Sequence, residues 1–326
     1  MRAKALKRYR REVSVAIAIG ALASVLAVAA PGYFSAENLS DLFLANMPVL
    51  VVALGATLVI LAGEIDISVG SVFAICGVVA GITAKLGMPV TVAALAACAV
   101  GSLLGALNGV LVAYLRIPSI VVTLATMVAL RDALRWSTQG AWIENLPRSF
   151  QWLGLTQASY PFVTFGGVAT LTLMLAWTLR HLAAGRAIYA TGSNPDAARL
   201  AGLDVALAKS SVFVVAGMLT GLAALLNSVR FNQIPSNAGL GLEMKVIASV
   251  VVGGAAITGG RGTILGTVLG VVLLGAIGPA LTFLGVSAYW ERAIQGGIIL
   301  ASVTVDRYRG MRARTVKDVP KLAVSA

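Results

Sequence analysis

The chain alternates between long apolar stretches and short polar segments. Ten apolar stretches recur, and each is bounded by turn residues or charged residues. They cover approximately residues 13–30, 41–62, 66–84, 89–115, 118–135, 160–182, 209–229, 244–260, 263–285 and 290–305. A helix of such a length crosses about 30 Å of hydrocarbon. The pattern therefore predicts an all-α, polytopic transmembrane helix bundle of about ten spans, with residues 1–326 forming a single domain.

Two parts of this pattern have alternatives. The stretches that meet at Gly259-Gly260-Arg261-Gly262 form either two spans or one broken element. The first stretch follows a basic start and contains Ala27-Val28-Ala29, a pattern that also resembles a secretory signal peptide. Its length and the many spans after it favour a retained helix.

The distribution of basic residues predicts the orientation of the chain. With both termini in the cytoplasm, the segments on that side carry 18 basic residues and the opposite segments carry seven. Because basic residues favour cytoplasmic loops, we expect the amino end 1–12, the polar segment 185–205 and the tail 306–326 on that side. The net charge of +12 lies in these clusters at the ends of spans, so no nucleic-acid partner is expected.

Composition excludes most enzyme classes. Hydrophobic residues make up 58% and charged residues 12%, and the mean hydropathy is +0.90, whereas soluble domains have about 25% charged residues. Cys76 and Cys98 lie in apolar runs without metal or redox spacing, and His181 is the single histidine. No metal, cofactor or catalytic residue is therefore expected. The sequence also has no Gly-Lys pair, hence no phosphate-binding Walker A loop, so any ATP energy must come from another chain.

The segment 185–205, called the island here, is polar and carries helix start and stop signals. Asn194 can cap a helix that begins at Pro195, with Asp196 in the first turn and Gly202 just after the end. This predicts a helix of about two turns, roughly 10 Å long. A helix this short is unstable alone, so we expect it to dock on its own protein or in a partner's groove. The alternative is an ordinary capped loop between two spans.

Two carboxylates lie beside glycines where the second and third stretches meet, at Gly63-Glu64-Ile65-Asp66-Ile67-Ser68-Val69-Gly70-Ser71. Three interpretations compete: a cap on the next helix by Asp66 or Ser68, a proton or ion site, and a hinge that lines a pathway. Capping is favoured, because these side chains satisfy unpaired amides at helix starts. A proton- or ion-coupled secondary carrier is the alternative function, although no further acid follows until Asp132.

Several blocks together resemble the permease subunits of ribose-type ABC importers. They are the block 63–71, the island sequence 189–199, and the segment 245–263 with its paired glycines, while a fourth block, 108–124, lies in the expected order. The match covers most of the chain. Local sequences at 142–147, 234–245 and 289–290 are most similar to permeases for rhamnose or autoinducer-2. Glu64 and Asp132 depart from the family, where a small residue or Asn and a Gly, respectively, are frequent.

The resemblance implies a function in ATP-driven import. Such a permease moves a sugar or sugar-like solute, such as rhamnose, autoinducer-2 or a related monosaccharide, across the bacterial inner membrane by alternating access. The partners it implies are ABC ATPase subunits, a second permease copy or a paralogue, an extracytoplasmic sugar-binding protein and membrane lipid. The island resembles the coupling helix that contacts the ATPase, and its candidate residues are Asn194, Pro195, Asp196, Ala197, Ala198, Arg199 and Gly202.

Polar side chains inside apolar runs are candidates for the solute pathway or for a hinge. A neutral sugar requires polar groups without strong charge, and amides and hydroxyls supply them. The candidates are Asn46, Thr57, Glu64, Asp66, Ser68, Thr123, Thr126 and Asn227. For the amides and hydroxyls, hydrogen bonding that joins helices structurally is the more frequent alternative.

Overall fold

The computed structural model describes residues 10–287, 289–298, 300–301 and 304, and the basic tail 306–326 lies outside this part of the chain. The described residues form helices joined by loops, and their only β-type pairing is an isolated antiparallel bridge between Ile143 and Ile234. The α-helices are α1 (Arg10–Ala29), α2 (Ala36–Leu61), α3 (Val69–Lys85), α4 (Val90–Ala113), α5 (Ser119–Thr138), α6 (Tyr160–His181), α7 (Ala183–Ser193), α8 (Pro195–Leu200), α9 (Val205–Ser228), α10 (Leu242–Val252), α11 (Ile264–Phe283) and α12 (290–298).

Each of the ten apolar stretches overlaps a helix in the described part of the chain, which confirms the all-α prediction for those residues. Within that part of the chain, six helices are long and apolar enough to cross a membrane: α1, α2, α4, α6, α9 and α11. Helix α3 has 17 residues and is shorter. Helix α5 has 20 residues, but three charged side chains, Arg131, Asp132 and Arg135, lie in its second half.

The predicted span 244–260 is wrong in its length. Helix α10 has only 11 residues, about 16 Å at 1.5 Å per residue, which is half the hydrocarbon thickness. It ends at Gly253 because Gly254, Gly259 and Gly260 adopt positive φ angles that interrupt a helix. Gly253 lies against Gly266 and the backbone of Ser249 against Gly270, so α10 and α11 form an antiparallel hairpin. They are therefore two elements and not one broken helix.

Helices α2 and α9 form the centre of the bundle. In the most apolar membrane-length part of α2, 89% of the residues are buried, whereas only 17% are buried in the corresponding parts of α1 and α6. Glycines on α4 let α9 approach closely: Gly101 lies against Gly217, and Gly105 lies against the backbone of Phe213. The outer helices expose large apolar side chains such as Leu173 on α6, which are suited to contact with lipid tails.

The bundle has two recognisable ends. At one end, the amide of Gly260 donates to the carbonyl of Leu61 at 2.9 Å, and the hydroxyl of Thr263 donates to Glu12 at 2.9 Å. We call this the island end, because the island also packs there. At the opposite end, the rings of Tyr33 and Phe283 meet with centroids 5.6 Å apart. Helices α1 and α11 therefore both begin at the island end.

Candidate functional site

The island folds as two short helices, and the local prediction for its second helix is confirmed. The side-chain oxygen of Asn194 accepts hydrogen bonds from the amides of Asp196 at 3.1 Å and Ala197 at 3.0 Å, so it caps α8. Pro195 occupies the first helical position, and Gly202 after the helix has φ +81°. Arg199 pairs with Asp196 at 2.8 Å across one turn. These contacts are local, which is why the sequence could predict them.

The island docks on its own chain through closely packed backbones. Gly192, at the end of α7, lies so close to the carbonyl of Leu61 and the amide of Gly260 that any side chain would overlap them. The hydroxyl of Tyr189 donates to the carbonyl of Gly262 at 2.8 Å. The island thus contacts both the end of α2 and the loop before α11. The contact at Gly192 leaves no room for a side chain, so the island is closely packed against these two elements.

The structure corrects the expected contact face of α8. Ala198, one of the candidate coupling residues, is only 4% exposed and packs inside the protein, so its side chain does not face a partner. The cause is the helical period: when Leu200 points outward, a residue two positions away points to the other side. Leu200 is 92% exposed, and Ala197 and Ala201 are exposed beside it. The outward face of α8 therefore centres on Leu200.

A charged cavity of about 400 Å³ lies beneath the island. Its charged lining residues are Glu64, Arg116, Arg199, Asp204 and Lys209. Glu64 and Lys209 form an ion pair with side chains that are 12% and 20% exposed, respectively. This pair links the loop after α2 to the first turns of α9. Glu64, predicted as a pathway or hinge residue, thus lies at the island end as half of an ion pair, and no sequence pattern indicates its partner.

Asp66 and Ser68 form a buried hydrogen-bonded group at the start of α3. One carboxylate oxygen of Asp66 accepts from the Ser68 amide at 2.8 Å and from the Ser68 hydroxyl at 2.6 Å. The amide nitrogen of Asn108 donates to the same hydroxyl at 2.9 Å. Ser68 is the N-cap residue of α3, but its side chain does not bond a helix amide. The favoured capping interpretation is therefore wrong: neither side chain bonds an amide of α3, and Asp66 instead accepts from the amide of the N-cap residue itself.

Four of the predicted pathway residues make structural hydrogen bonds. Each side chain donates to the carbonyl four residues earlier in its own helix. They are Asn46, Thr57, Thr123 and Thr126, with donor–acceptor distances of 2.7, 2.6, 2.8 and 3.0 Å. Thr57 also bonds the hydroxyl of Thr267 on α11 at 2.7 Å. These contacts favour the structural alternative for the three threonines, whereas the buried side-chain oxygen of Asn46 has no hydrogen-bond partner in the described part of the chain.

A larger cavity, of about 920 Å³, lies in the half of the bundle away from the island and is called the α10 cavity here. It is bounded by the first half of α2, the last turn of α9, the loop 235–241, the start of α10 and the segment 287–296. Its polar lining residues are Asn227, Lys245, Ser287, Glu291, Arg292 and Gln295. Asn227 is the one predicted pathway residue in this lining. A volume of this size is typical of small-molecule sites, roughly 300–1,000 Å³.

The predicted pathway residues do not include the charged residues of the α10 cavity. Lys245 is an ammonium group within an apolar run, and Glu291 stands at the start of the last run. Ionisable residues in such runs usually face a cavity or a partner, so their type and position could have identified them. The sequence does not show how the helices pack, so it could not show that α10 lies beside α12.

The chain is similar to known proteins over most of its length. A protein family described as "Branched-chain amino acid transport system / permease component" matches residues 38–303. The Autoinducer 2 import system permease protein LsrC of Enterobacter sp. (strain 638) is 39% identical over 298 residues, which cover 91% of this chain and 86% of that protein. The protein of the same name from Klebsiella pneumoniae subsp. pneumoniae is 39% identical over 307 residues, covering 93% and 89%.

A third relative gives the same picture. The LsrC protein of Yersinia pseudotuberculosis serotype O:1b is 36% identical over 297 residues, covering 91% of this chain and 84% of that protein. No solved structure matches the chain significantly. Since the family match spans most of the chain and these relatives align over nearly their whole length, the chain belongs to this family of transport-system permease components.

Proposed function

We propose that this protein is the membrane-spanning subunit of an ATP-driven importer for a sugar or sugar-like solute of the autoinducer-2 or rhamnose type. The observation that carries the proposal is the 39% identity to an autoinducer 2 import system permease over 91% of the chain. The volume of the α10 cavity is suitable for a small solute, and the exposed face of the island is suitable for contact with an ATPase subunit. Alternating access then requires the two ends of the bundle to open in turn.

The partners proposed are two ABC ATPase subunits, a second permease copy or paralogue, and an extracytoplasmic sugar-binding protein. The outward face of α8, centred on Leu200, is the proposed ATPase contact. Its support is physical: an apolar side chain that is 92% exposed on a polar, non-membrane segment gains stability when a partner covers it. Because the island packs rigidly against α2 and the loop before α11, motion of the ATPase would reach the bundle.

The proposed topology places the island end in the cytoplasm and the protein in the bacterial inner membrane, with ten chain crossings and both termini inside. In this topology the 11-residue helix α10 and the preceding loop 229–241 together make one crossing. The contact between Glu12 and Thr263 supports a common side for the amino end and the island. The excess of basic residues, 18 against seven, supports the cytoplasm as that side.

Cysteine labelling tests the topology. In a background with Cys76→Ala and Cys98→Ala, Asp196→Cys should resist a membrane-impermeant thiol reagent added outside intact spheroplasts and react after permeabilisation. Gln157→Cys, in the loop between α5 and α6 at the opposite end, is the matched control and should react from outside. Labelling of Asp196→Cys in intact spheroplasts would contradict the proposed orientation.

Uptake in proteoliposomes tests the energy source. The permease is reconstituted with its ATPase and binding protein, and uptake of autoinducer-2 and of L-rhamnose is measured. Uptake of one of them should require ATP and persist with an uncoupler while ATP is maintained. Uptake by the permease alone, driven by a proton or sodium gradient, would instead establish the secondary-carrier alternative.

A further inference from the structure

Two opposite charges line the α10 cavity from different elements. Lys245 projects from α10, and Glu291 belongs to α12. Glu291 lies against Gly278 of α11, and one of its carboxylate oxygens accepts a hydrogen bond from Gln295 at 2.9 Å. Gln295 is only 8% exposed, so the carboxylate is held in a defined position by a buried neighbour. Lys245 has no such fixed hydrogen-bond partner for its ammonium group in the described part of the chain.

The two charged residues line the same cavity without forming a direct ion pair. The direct ion pairs found among the described residues, with nitrogen–oxygen distances up to 4.0 Å, join Asp132 to Arg135 and the two pairs of the island end described above. Lys245 and Glu291 are not among these pairs, so the ammonium and carboxylate groups line one cavity without a direct salt bridge between them. A gap between a strong donor and a strong acceptor can be filled by a solute that both accepts and donates hydrogen bonds.

We propose that Lys245 and Glu291 together recognise the transported solute, and that they select an uncharged, polyhydroxylated molecule whose hydroxyl groups bridge the ammonium and the carboxylate. This inference rests on the function proposed above and names the residues that select its solute. An ammonium group donates to hydroxyl oxygens, and a carboxylate accepts from hydroxyl protons, so neighbouring hydroxyls satisfy both.

Charge balance supports an uncharged solute. An anion near Lys245 would also lie near the carboxylate of Glu291, which would repel it. A cation near Glu291 would likewise be repelled by the ammonium group of Lys245. Arg292 also lines the cavity, but its side chain is exposed, and water screens its charge. The buried ring of Phe73 provides an apolar surface for the C–H face of a sugar ring.

The test measures the maximal uptake rate with the complete importer in proteoliposomes. A binding protein that delivers the solute sets the concentration dependence, so the rate is compared at saturating loaded binding protein. The probes are autoinducer-2 and L-rhamnose, each with an analogue that lacks one hydroxyl group. Lys245→Met and Glu291→Gln should each lower the rate for the intact solute about tenfold, the effect of one lost hydrogen bond to a charged group. Both variants should also lose most of the preference for the intact solute over its deoxy analogue.

Three controls separate recognition from a structural role. Asp132→Asn changes an exposed carboxylate outside the cavity and should leave the rate and the preference unchanged. ATP hydrolysis by the complex and the amount of assembled complex should stay within about twofold for Lys245→Met and Glu291→Gln, since one lost hydrogen bond at the solute leaves the ATPase contact intact. The exchanged pair, Lys245→Glu with Glu291→Lys, should assemble but not regain uptake, because donor and acceptor are reversed relative to the solute.

Each outcome decides between the alternatives. Variants that assemble, hydrolyse ATP and transport at the wild-type rate with the wild-type preference would overturn the inference and leave the importer function intact. Recovery of uptake in the exchanged pair would also overturn the inference, since a charge pair with only a structural role works equally well when its two residues are exchanged. If the wild-type complex takes up neither solute, the proposed solute class fails first, before the variants are compared.

Discussion

Glu64 and Lys209 form an ion pair between positions 145 residues apart, which ties the loop after α2 to the beginning of α9. Both side chains are mostly buried at the island end and line the cavity beneath α8. The pair therefore connects the two central helices of the bundle at the point where the island docks. Since a largely buried charge requires its partner, the pair constrains how these helices can move relative to each other.

Removal of one member of this pair should destabilise the protein. Glu64→Gln leaves the ammonium group of Lys209 without its counter-charge, and breaking a buried pair costs about 3–5 kcal/mol. We expect a lower melting temperature for the purified permease in detergent. The double variant Glu64→Gln with Lys209→Met should recover most of the loss, because no unpaired charge remains.

The exposed pair of α8 is the matched control for that experiment. Asp196 and Arg199 are 86% and 53% exposed in their side chains, so Asp196→Asn should change stability by less than about 0.5 kcal/mol. Equal melting temperatures for wild type and Glu64→Gln would show that the Glu64–Lys209 pair does not contribute to stability.

Adjacent alanines on α8 should respond differently to the same substitution. Ala198 is buried, so Ala198→Glu places a carboxylate inside the protein and should reduce the amount of permease in the membrane. Ala197 is exposed, so Ala197→Glu should leave the amount unchanged but weaken ATPase co-purification, as should Leu200→Glu. Membrane abundance, ATPase co-purification and uptake are measured for all three. Normal uptake in Ala197→Glu and Leu200→Glu would exclude this face as the ATPase contact.

Loss of the cap should loosen α8. Asn194→Ala removes the acceptor for the amides of Asp196 and Ala197, which costs about 1 kcal/mol of local helix stability. Hydrogen exchange at these amides, measured by mass spectrometry on island peptides, should become faster, and uptake should fall. Asn194→Asp keeps the acceptor and serves as the conservative control. Unchanged exchange in Asn194→Ala would mean that α8 is held by its neighbours alone.

Glycine at the docking point should be required, whereas glycine on the outer surface should not. A methyl group at Gly192 would overlap the carbonyl of Leu61, so Gly192→Ala should destabilise the permease by about 1–3 kcal/mol. Gly166 on α6 has open space around it, and Gly166→Ala should be neutral or stabilising by up to about 1 kcal/mol. Thermal unfolding of both variants checks the contrast, and equal behaviour would argue against close docking of the island.

The local features of this protein could be predicted from its sequence. Apolar runs predict helices, and the signals at Asn194, Pro195 and Gly202 predict the short helix α8, because capping depends on backbone groups within a few residues. Gly101, Gly105 and Gly109 are spaced four residues apart, and small residues at this spacing likewise predict close packing of helices. That α9 is the partner of this ridge follows only from the structure.

Only the tertiary structure decided which faces meet. Helices such as α2 are apolar on all sides, and lipid is as apolar as the protein interior, so the sequence pattern does not distinguish a buried face from a lipid-facing one. For the same reason the sequence could not pair Glu64 with Lys209 or bring Lys245 and Glu291 to the same cavity. The direction of Ala198 also depended on how the island docks. The sequence thus determined the helices and their caps, whereas helix packing determined the cavities and the charges that line them.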